Sequence, residues 1–219
     1  MSEIKAVIFD LDGTMLDNNE FHLKAWKKYL KDSGMEISDE DFKKYISGRT
    51  NADAVAHLYK KIMTEEEASV HYLKKEEIYR KMYENEIAPV TGLSGFLEDL
   101  QSHNVMMAIA TSGVQVNIDY MFKHLPLKKY FKEIINSAHI KKGKPNPEIF
   151  LKTAAALHTA AANCIVFEDS VPGITAGKAA GMKVVAITTS HKREELNEAD
   201  MIIKDYTEIN FDRLMSLAD

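Results

Sequence analysis

The sequence predicts an α/β protein in which a parallel sheet is flanked by helices and carries an inserted all-helical cap. Short apolar runs rich in β-branched residues recur along the chain and have the length of buried strands. From Pro89 onward these runs alternate with helical patterns, which is typical of a parallel sheet covered by helices. Residues 17–88 show no strand pattern of comparable strength, so we expect this segment to be helical.

Composition limits the function classes that the chain can serve. It has 219 residues, 45% of them hydrophobic, which is enough for one substantial core and a smaller second unit. The net charge of −5 and the lack of a basic cluster argue against a nucleic-acid partner. No apolar stretch is long enough to cross a membrane, and residues 1–5 lack the apolar segment of a signal peptide. We therefore expect a soluble cytoplasmic protein without a membrane partner, and a monomer because no long apolar stripe stands out.

The first element is a buried strand that ends in two acidic residues. Residues 6–9 are apolar, and Asp10, Asp12 and Gly13 follow them. Ligands bind outside the carboxyl ends of strands in such sheets, and residues i and i+2 of an extended chain point to the same side. Two carboxylates this close repel each other unless a cation or a shared proton compensates. The pair indicates a hard metal, a nucleophile beside an acid/base, or both; an acidic turn without function is the alternative.

The segment after this strand is predicted to be a helical cap. Residues 20–31 are amphipathic, and Thr64 with Glu67 forms a capping box. The helix that this box starts has an apolar stripe of Ala68, Tyr72, Tyr79, Met82 and Tyr83. The Lys and Glu residues over 65–86 are expected on its solvated face. We expect a cap over 17–88 and a core over 1–16 and 89–219, with hinges at 14–19 and 86–92. A cap of this kind can close over the sheet and exclude water.

The core elements follow in order from Pro89. The patterns predict helices over 93–102, 116–124 and 147–157, a helix ended by Gly181, and strands over 105–111, 133–135, 164–167 and 183–187. The helix over 147–157 has the clearest start, since Asn146 is a favourable N-cap and Pro147 suits the first helical position. Cys164 lies in a strand run, so we expect a buried structural thiol, and a single cysteine excludes an internal disulfide.

Polar residues follow three further segments of the core. Thr111-Ser112-Gly113 comes after the second strand and offers hydroxyls and backbone donors for phosphate oxygens, although such residues also cap helices. Lys144 lies between turn residues and can face either a site or solvent. Glu168-Asp169 ends a buried strand and supplies a second acidic pair.

Together these residues favour phosphoryl transfer. Carboxylates suit Mg²⁺, which is commonly shared with a substrate phosphate, and Asp10 with Asp169 could hold it. Lys144 could offset further negative charge, because a unit pair ~4 Å apart is worth about 4 kcal/mol at an effective dielectric constant of 20. Asp10 is then the candidate nucleophile, and Asp12 the group that protonates the leaving oxygen and deprotonates the incoming water or hydroxyl.

These segments resemble the four motifs of the haloacid dehalogenase superfamily: Asp10-Leu-Asp12-Gly13-Thr14, Thr111, Lys144 and Glu168-Asp169. The surroundings of Lys144 and Asp169 are similar to its sugar-phosphatase and β-phosphoglucomutase branch, and the resemblance covers essentially the whole chain. It implies a Rossmann-like core with a cap, Asp10 as the phosphorylated nucleophile and Asp12 as the acid/base. It also implies Mg²⁺ held by Asp10, the Asp12 carbonyl, Asp169 and Glu168. The presence of Asp12 argues against dehalogenation.

Cap residues also resemble that branch. His22 and Trp26, spaced i and i+4, match its cap-helix pair and share one helix face, and Lys75 matches its cap lysine. Without the family, an ordinary helix histidine, a core tryptophan and a surface lysine are the alternatives. The expected substrate-binding set is His22, Trp26, Gly48, Arg49, Lys75, Ser112, Gly113 and Asn146.

Three departures favour a hydrolase over a mutase. A mutase of this branch grips a second phosphate with a cap-loop arginine, where Asn51 stands here, while Arg49 lies two residues earlier. Gly113 and Val114 replace the branch's serine and lysine after the second motif, which removes charge-assisted contacts. We therefore expect a Mg²⁺-dependent phosphatase of a small phosphorylated metabolite, such as a sugar or polyol phosphate. A β-phosphoglucomutase-type mutase is the alternative, and a non-catalytic phosphometabolite-binding protein is a remote one.

Overall fold

Parallel strands form a single sheet in the computed structural model, which describes residues 4–217. Within this range the strands are β1 (Ala6–Phe9), β2 (Met106–Ala110), β3 (Glu133–Ile135), β4 (Cys164–Glu168), β5 (Lys183–Ile187) and β6 (Met201–Ile203). Their order across the sheet is β3-β2-β1-β4-β5-β6. The predicted α/β class and the strands over β1 to β5 are confirmed. The sequence analysis missed β6, a strand of three residues that pairs with β5 at the edge of the sheet.

The sheet register brings the carboxyl ends of β1, β2 and β4 together. Phe9 pairs with Ile109 on one side and with Phe167 on the other. The chain runs from β1 through β2 to β3 on one side and then returns to β4 on the other side of β1, so the strand order reverses beside β1. An open sheet has its ligand crevice at such a point.

Helices cover both faces of the sheet. Those of the core are α5 (Leu93–Ser102), α6 (Gln115–His124), α7 (Glu148–Ala156), α8 (Val171–Ala179) and α9 (Phe211–Met215). Successive β1 residues alternate between two hydrophobic clusters: Val7 and Phe9 lie in one, Ala6 and Ile8 in the other. All four are fully buried, which explains why the strand is apolar at every position.

The start of α7 differs by one residue from the prediction. Pro147 is the N-cap and the helix begins at Glu148. The Asn146 side chain still satisfies a free donor at this helix end, because its Oδ1 accepts from the Glu148 N–H at 3.0 Å. The prediction of Asn146 as N-cap was therefore wrong in position, although its capping contact exists.

Further helices lie between β1 and α5: α1 (Asn19–Lys31), α2 (Asp39–Tyr45), α3 (Asn51–Tyr59) and α4 (Glu65–Tyr83). The capping box of Thr64 and Glu67 is confirmed at the start of α4. These helices have a hydrophobic cluster of their own, with Trp26, Phe42 and Val55 among its members. The exact division at residues 16/17 and 88/89 stays a prediction.

Two burial expectations have different outcomes. The thiol of Cys164 is buried as expected, and burial raises its pKa to about 11. By contrast, Lys75 and Glu76 do not lie on a solvated face of α4, since they are only 2% and 1% exposed. The other Lys and Glu residues over 65–86 are exposed as expected. The predicted apolar stripe is buried, except that Met82 is half-buried. Within residues 4–217, no helix is long and apolar enough to cross a membrane.

Candidate active site

The turn after β1 places Asp10 and Asp12 at the crevice of the sheet. The Asp10 N–H donates to the Phe167 carbonyl at 3.0 Å, which extends the β1–β4 pairing by one residue. Gly13 then reverses the chain with φ +81°, and an added Cβ would lie 2.0 Å from Asp169 Oδ2. Only glycine meets both requirements, so the Asp-x-Asp-Gly spacing follows from the geometry of the turn.

Lys144 is buried between two carboxylates. Its Nζ lies 2.5 Å from Asp10 Oδ1 and 2.6 Å from Glu168 Oε1, and the side chain is fully buried. Burial alone would lower the pKa of Lys144, but the charges of Asp10 and Glu168 raise it overall. The lysine is therefore protonated in the site, and the alternative of a solvent-exposed turn lysine is excluded.

Asp169 follows β4 directly and belongs to the same group of carboxylates as Asp10. It accepts from Thr14 Oγ1 at 3.2 Å and from Asn19 Nδ2 at 2.9 Å. Burial and the adjacent charge of Glu168 raise the pKa of Asp169 to about 8. Burial also raises the pKa of Asp10 well above its usual range, although Lys144 acts in the opposite direction. One lysine therefore does not balance this group of carboxylates.

The buried carboxylates form a cluster suited to a divalent cation. Asp10, Glu168 and Asp169 each present an oxygen, and these atoms all lie within 4.8 Å of one another. Oxygen ligands from carboxylates suit Mg²⁺, and a cation would offset the burial of negative charge and the mutual repulsion that raise the pKa values of Asp10 and Asp169. Glu168 is already engaged, because its Oε2 accepts from the N–H groups of Asp169 and Ser170. The residues present thus fit the expected metal.

Asp12 has a different environment from Asp10. Its Oδ1 accepts from Asn18 Nδ2 at 2.6 Å and lies 3.3 Å from His22 Nε2, and its side chain is 20% exposed. Burial alone would raise the pKa of Asp12, but His22 and the hydrogen bond from Asn18 lower it overall. Environments that push the pKa values of two nearby acids apart allow them different roles.

The segment after β2 lies beside these acids. Thr111 is buried, and its Oγ1 accepts from the Gly113 N–H at 2.9 Å. A Cβ on Gly113 would lie 3.3 Å from Asp12 Oδ2, so this backbone borders the acid closely. Ser112 instead donates to the Gly48 carbonyl at 3.0 Å and ties the α2–α3 loop to the core.

A cavity lies between the helical segment and the sheet edge. Its lining includes Asp10, Asp12, Thr111, Ser112 and Gly113 from the core, and His22, Trp26, Gly48, Arg49 and Lys75 from the segment between β1 and α5. The structure thus brings the predicted cap residues to the candidate catalytic acids. Trp26 belongs to the hydrophobic cluster of the helices as well, with Lys75 Nζ 5.2 Å above its ring.

Of the predicted substrate-binding residues Arg49 and Asn146, only Arg49 lines the cavity over Asp10. Arg49 borders the cavity over Asp10, and its Nε is buried without a hydrogen-bond partner in the described structure. Asn146 is absent from this lining; it borders a neighbouring cavity instead and makes the α7 contact described above. Asn146 therefore lies outside the lining of the cavity over Asp10, and its contact with substrate stays a prediction.

Several residues of the site were missed by the sequence analysis. Asn18 and Asn19 hold the acids from the start of α1, and Glu76, Asn51 and Asn117 form a hydrogen-bonded group at the cavity. Asn18 and Asn19 lie within the predicted hinge at 14–19, and this position was the only indication in the sequence that they border the site. Glu76 lies in a run rich in Lys and Glu, so the sequence gives no indication that this residue is buried.

The family model described as haloacid dehalogenase-like hydrolase matches residues 7–187. The chain belongs to this family. The match includes all four acidic residues of the site and Lys144. The family resemblance that the motifs predicted is therefore confirmed.

Relatives within the family have related activities. Validoxylamine A 7′-phosphate phosphatase of Streptomyces hygroscopicus subsp. limoneus is 30% identical, and the alignment covers 94% of this chain and 96% of the relative. The β-phosphoglucomutase of Bacillus subtilis is 29% identical over 96% and 94% of the two chains. The bifunctional riboflavin kinase/FMN phosphatase of Arabidopsis thaliana is 31% identical; the match takes in 94% of this chain but only 55% of that protein.

A solved structure has the same architecture. The haloacid dehalogenase hydrolase of family IA, variant 3, from Entamoeba histolytica has a TM-score of 0.87 and 30% identity. The match covers 98% of this chain and 99% of that one. The family-level reaction, phosphoryl transfer on phosphorylated metabolites, is thus supported by fold, site and relatives together.

Proposed function

We propose that the protein is a Mg²⁺-dependent phosphatase that hydrolyses a small sugar or polyol phosphate through an aspartyl-phosphate on Asp10. The contact of Asp10 with Lys144 at 2.5 Å, inside a cluster of buried carboxylates, is the observation that carries this proposal. It gives the nucleophile a fixed position and a cation that limits repulsion from the phosphate. The phosphatases among the relatives support the same reaction class.

In the first step Asp10 would attack the phosphorus atom. A bond forms between the Asp10 carboxylate oxygen and phosphorus while the bond from phosphorus to the sugar oxygen breaks. Asp12 would donate a proton to the leaving oxygen, so that a neutral alcohol departs. Thr111 and the backbone of Gly113 border the same space and are suited to contact the phosphoryl oxygens.

In the second step a water molecule would attack the same phosphorus atom. Asp12, now ionised, takes a proton from this water, and the bond from phosphorus to Asp10 breaks. Inorganic phosphate leaves and Asp10 returns as a carboxylate. The lowered pKa of Asp12 suits this step, because it keeps the group ionised while water is activated.

Mg²⁺ would be held by Asp10, Asp169 and the Asp12 carbonyl, with Glu168 beside them in the same carboxylate cluster. The ion supplies charge neutralisation for the phosphoryl group when bound. Lys144 remains placed to balance Asp10 and Glu168. Asn19 and Thr14 hold the Asp169 carboxylate in position.

A phosphomutase is the second candidate because of one observation. Arg49 has a buried Nε without a partner beside the cavity, and such a group can bind a second phosphate. Asn51 does not take that role, since its side-chain amide donates to Glu76 at 2.7 Å. Hydrolysis therefore remains the first candidate.

A phosphorus NMR time course with Mg²⁺ and a panel of sugar and polyol phosphates tests the proposal. The panel includes fructose 1-phosphate, a hexitol phosphate and β-glucose 1-phosphate primed with its bisphosphate. Growth of the inorganic phosphate line identifies a phosphatase. Growth of a hexose 6-phosphate line without free phosphate identifies a mutase, and tight binding without turnover identifies a binding protein.

Asp10→Asn is the matched variant for this time course. It removes the nucleophilic charge with almost no change in volume, so we expect turnover to fall below detection while the circular dichroism spectrum stays that of the wild type. Retained turnover by a correctly folded variant would contradict the covalent mechanism.

A further inference from the structure

An ion pair is buried in α4 at the wall of the cavity. Lys75 and Glu76 are 2% and 1% exposed, and the Lys75 Nζ lies 2.9 Å from Glu76 Oε1. Both residues line the cavity that holds Asp10 and Asp12. Long charged side chains are almost never buried unless they are paired, so this arrangement has to be explained by the pair itself.

The Glu76 carboxylate is held by donors from three elements. Oε1 accepts from Asn51 Nδ2 at 2.7 Å as well as from Lys75, and Oε2 accepts from Asn117 Nδ2 at 2.8 Å. Burial alone would raise the pKa of Glu76, but the charge of Lys75, the nearby His22 and the hydrogen bonds from Asn117 and Lys75 lower it overall. Glu76 therefore carries a negative charge inside the cavity wall.

Lys75 has several close neighbours. Besides Glu76, its Nζ lies 2.8 Å from His22 Nδ1 and 5.2 Å from the centre of the Trp26 ring. The positive charge of Lys75 is thus matched by a carboxylate on the next residue. This part of the wall offers hydrogen bonds without a net positive charge.

We propose that Glu76 determines substrate specificity: it excludes substrates with a second phosphate and admits those whose remote end carries uncharged hydroxyl groups. This inference rests on the proposed phosphatase function. A second phosphate would meet the Glu76 carboxylate and find Lys75 already occupied, with Arg49 as its one unpaired cation among the described lining residues. A hydroxyl group carries no charge for Glu76 to repel, and it can bond to uncharged polar lining residues such as Ser47 and Asn51. Rejection through an unfavourable charge is a general route to specificity.

The test compares fructose 1-phosphate with fructose 1,6-bisphosphate, two compounds that differ by one phosphate. We expect the wild type to have a kcat/KM at least about tenfold higher on the monophosphate. Glu76→Gln keeps the side-chain volume, removes the charge and frees Lys75. We expect it to raise kcat/KM on the bisphosphate about tenfold and to lower it on the monophosphate about threefold.

Two variants serve as controls. Glu77→Gln makes the same change of charge one residue later, where the side chain is 61% exposed and pairs with Lys81. It should leave both values as in the wild type. Glu76→Asp keeps the charge and should keep the preference for the monophosphate, which a purely structural role of Glu76 would not explain.

The outcomes separate the inference from the proposed function. A Glu76→Gln protein whose substrate preference moves no more than that of Glu77→Gln overturns the inference, even when both hydrolyse the monophosphate. A wild type that prefers the bisphosphate overturns it without any variant, which covers a Glu76→Gln protein that does not fold. Absence of turnover on every phosphate would refute the proposed function alone. Calorimetric dissociation constants of the two fructose phosphates, for wild type and Glu76→Gln, would then decide the inference.

Discussion

At the residue scale, the site depends on how far each buried carboxylate is paired with a positive charge. Lys144 contacts both Asp10 and Glu168, while burial and the adjacent charge of Glu168 raise the pKa of Asp169 to about 8. Removing one partner of a buried ion pair leaves an uncompensated charge and is strongly destabilising. Because Lys144 faces three buried carboxylates, the site has an excess of negative charge. It can therefore take up a further positive charge, which would in turn favour a bound phosphate.

Arg49 provides a prediction at this scale. Its Nε is unpartnered beside the cavity, so its guanidinium is free to contact a bound substrate. We expect Arg49→Ala to raise KM by about tenfold, the effect of about 1.4 kcal/mol of lost binding, and to change kcat less. Steady-state kinetics on the best monophosphate provide the measurement. Unchanged KM would place Arg49 outside the site.

Much of the catalytic group could be predicted residue by residue. Asp10, Asp12 and Asp169 follow buried strands, and parallel strands bring their carboxyl ends to one edge. Glu76 could not be predicted in this way. Helix periodicity indicates which face is apolar. It does not distinguish a Lys–Glu pair that is buried among asparagines from an exposed pair, because the residue types are the same.

At the element scale, α4 connects the cavity with the core. It carries Lys75 and Glu76, and its Arg80 donates from Nη1 to Asn117 Oδ1 of α6 at 2.9 Å. The sequence predicted the start of this helix correctly because capping is a local property of a few residues. Its contacts with α6 depend on tertiary packing and were not predictable from either helix alone.

The cap of α4 gives a prediction about stability. The Thr64 Oγ1 accepts from the Glu67 N–H at 3.2 Å in an exposed capping box. We expect Thr64→Ala to lower the free energy of unfolding by about 1 kcal/mol, measured by urea denaturation. Thr64→Ser retains the hydroxyl and should lose much less. Equal losses in the two variants would show that the hydroxyl does not stabilise the helix.

At the scale of the whole molecule, metal binding and stability should be linked through pH. Asp169 has a pKa of about 8 in the folded, metal-free protein, against about 3.9 in an unfolded chain. Between these values the folded protein holds a proton that the unfolded chain lacks, so this group's contribution to stability falls as the pH rises towards 8. Mg²⁺ has to displace that proton and should bind more tightly as the pH approaches 8.

Thermal unfolding with Mg²⁺ or with a chelator measures this linkage. Ligands that bind only the folded state raise Tm, so we expect a rise in Tm that is larger at about pH 8 than at about pH 6. Asp169→Asn should lose most of the Mg²⁺ effect at both pH values. A rise in Tm that is independent of pH, or that persists in the variant, would mean that Mg²⁺ binds elsewhere.

The central claim is that Asp10 becomes phosphorylated, and Asp12→Asn with p-nitrophenyl phosphate tests it most directly. The nitrophenolate leaving group needs no proton, so the first step should proceed while activation of water is impaired. We predict a rapid burst of one nitrophenolate per active site, and acid-quench mass spectrometry should find one HPO₃ group on the peptide that contains Asp10. Continued turnover without a burst and without phosphate on that peptide would contradict the account.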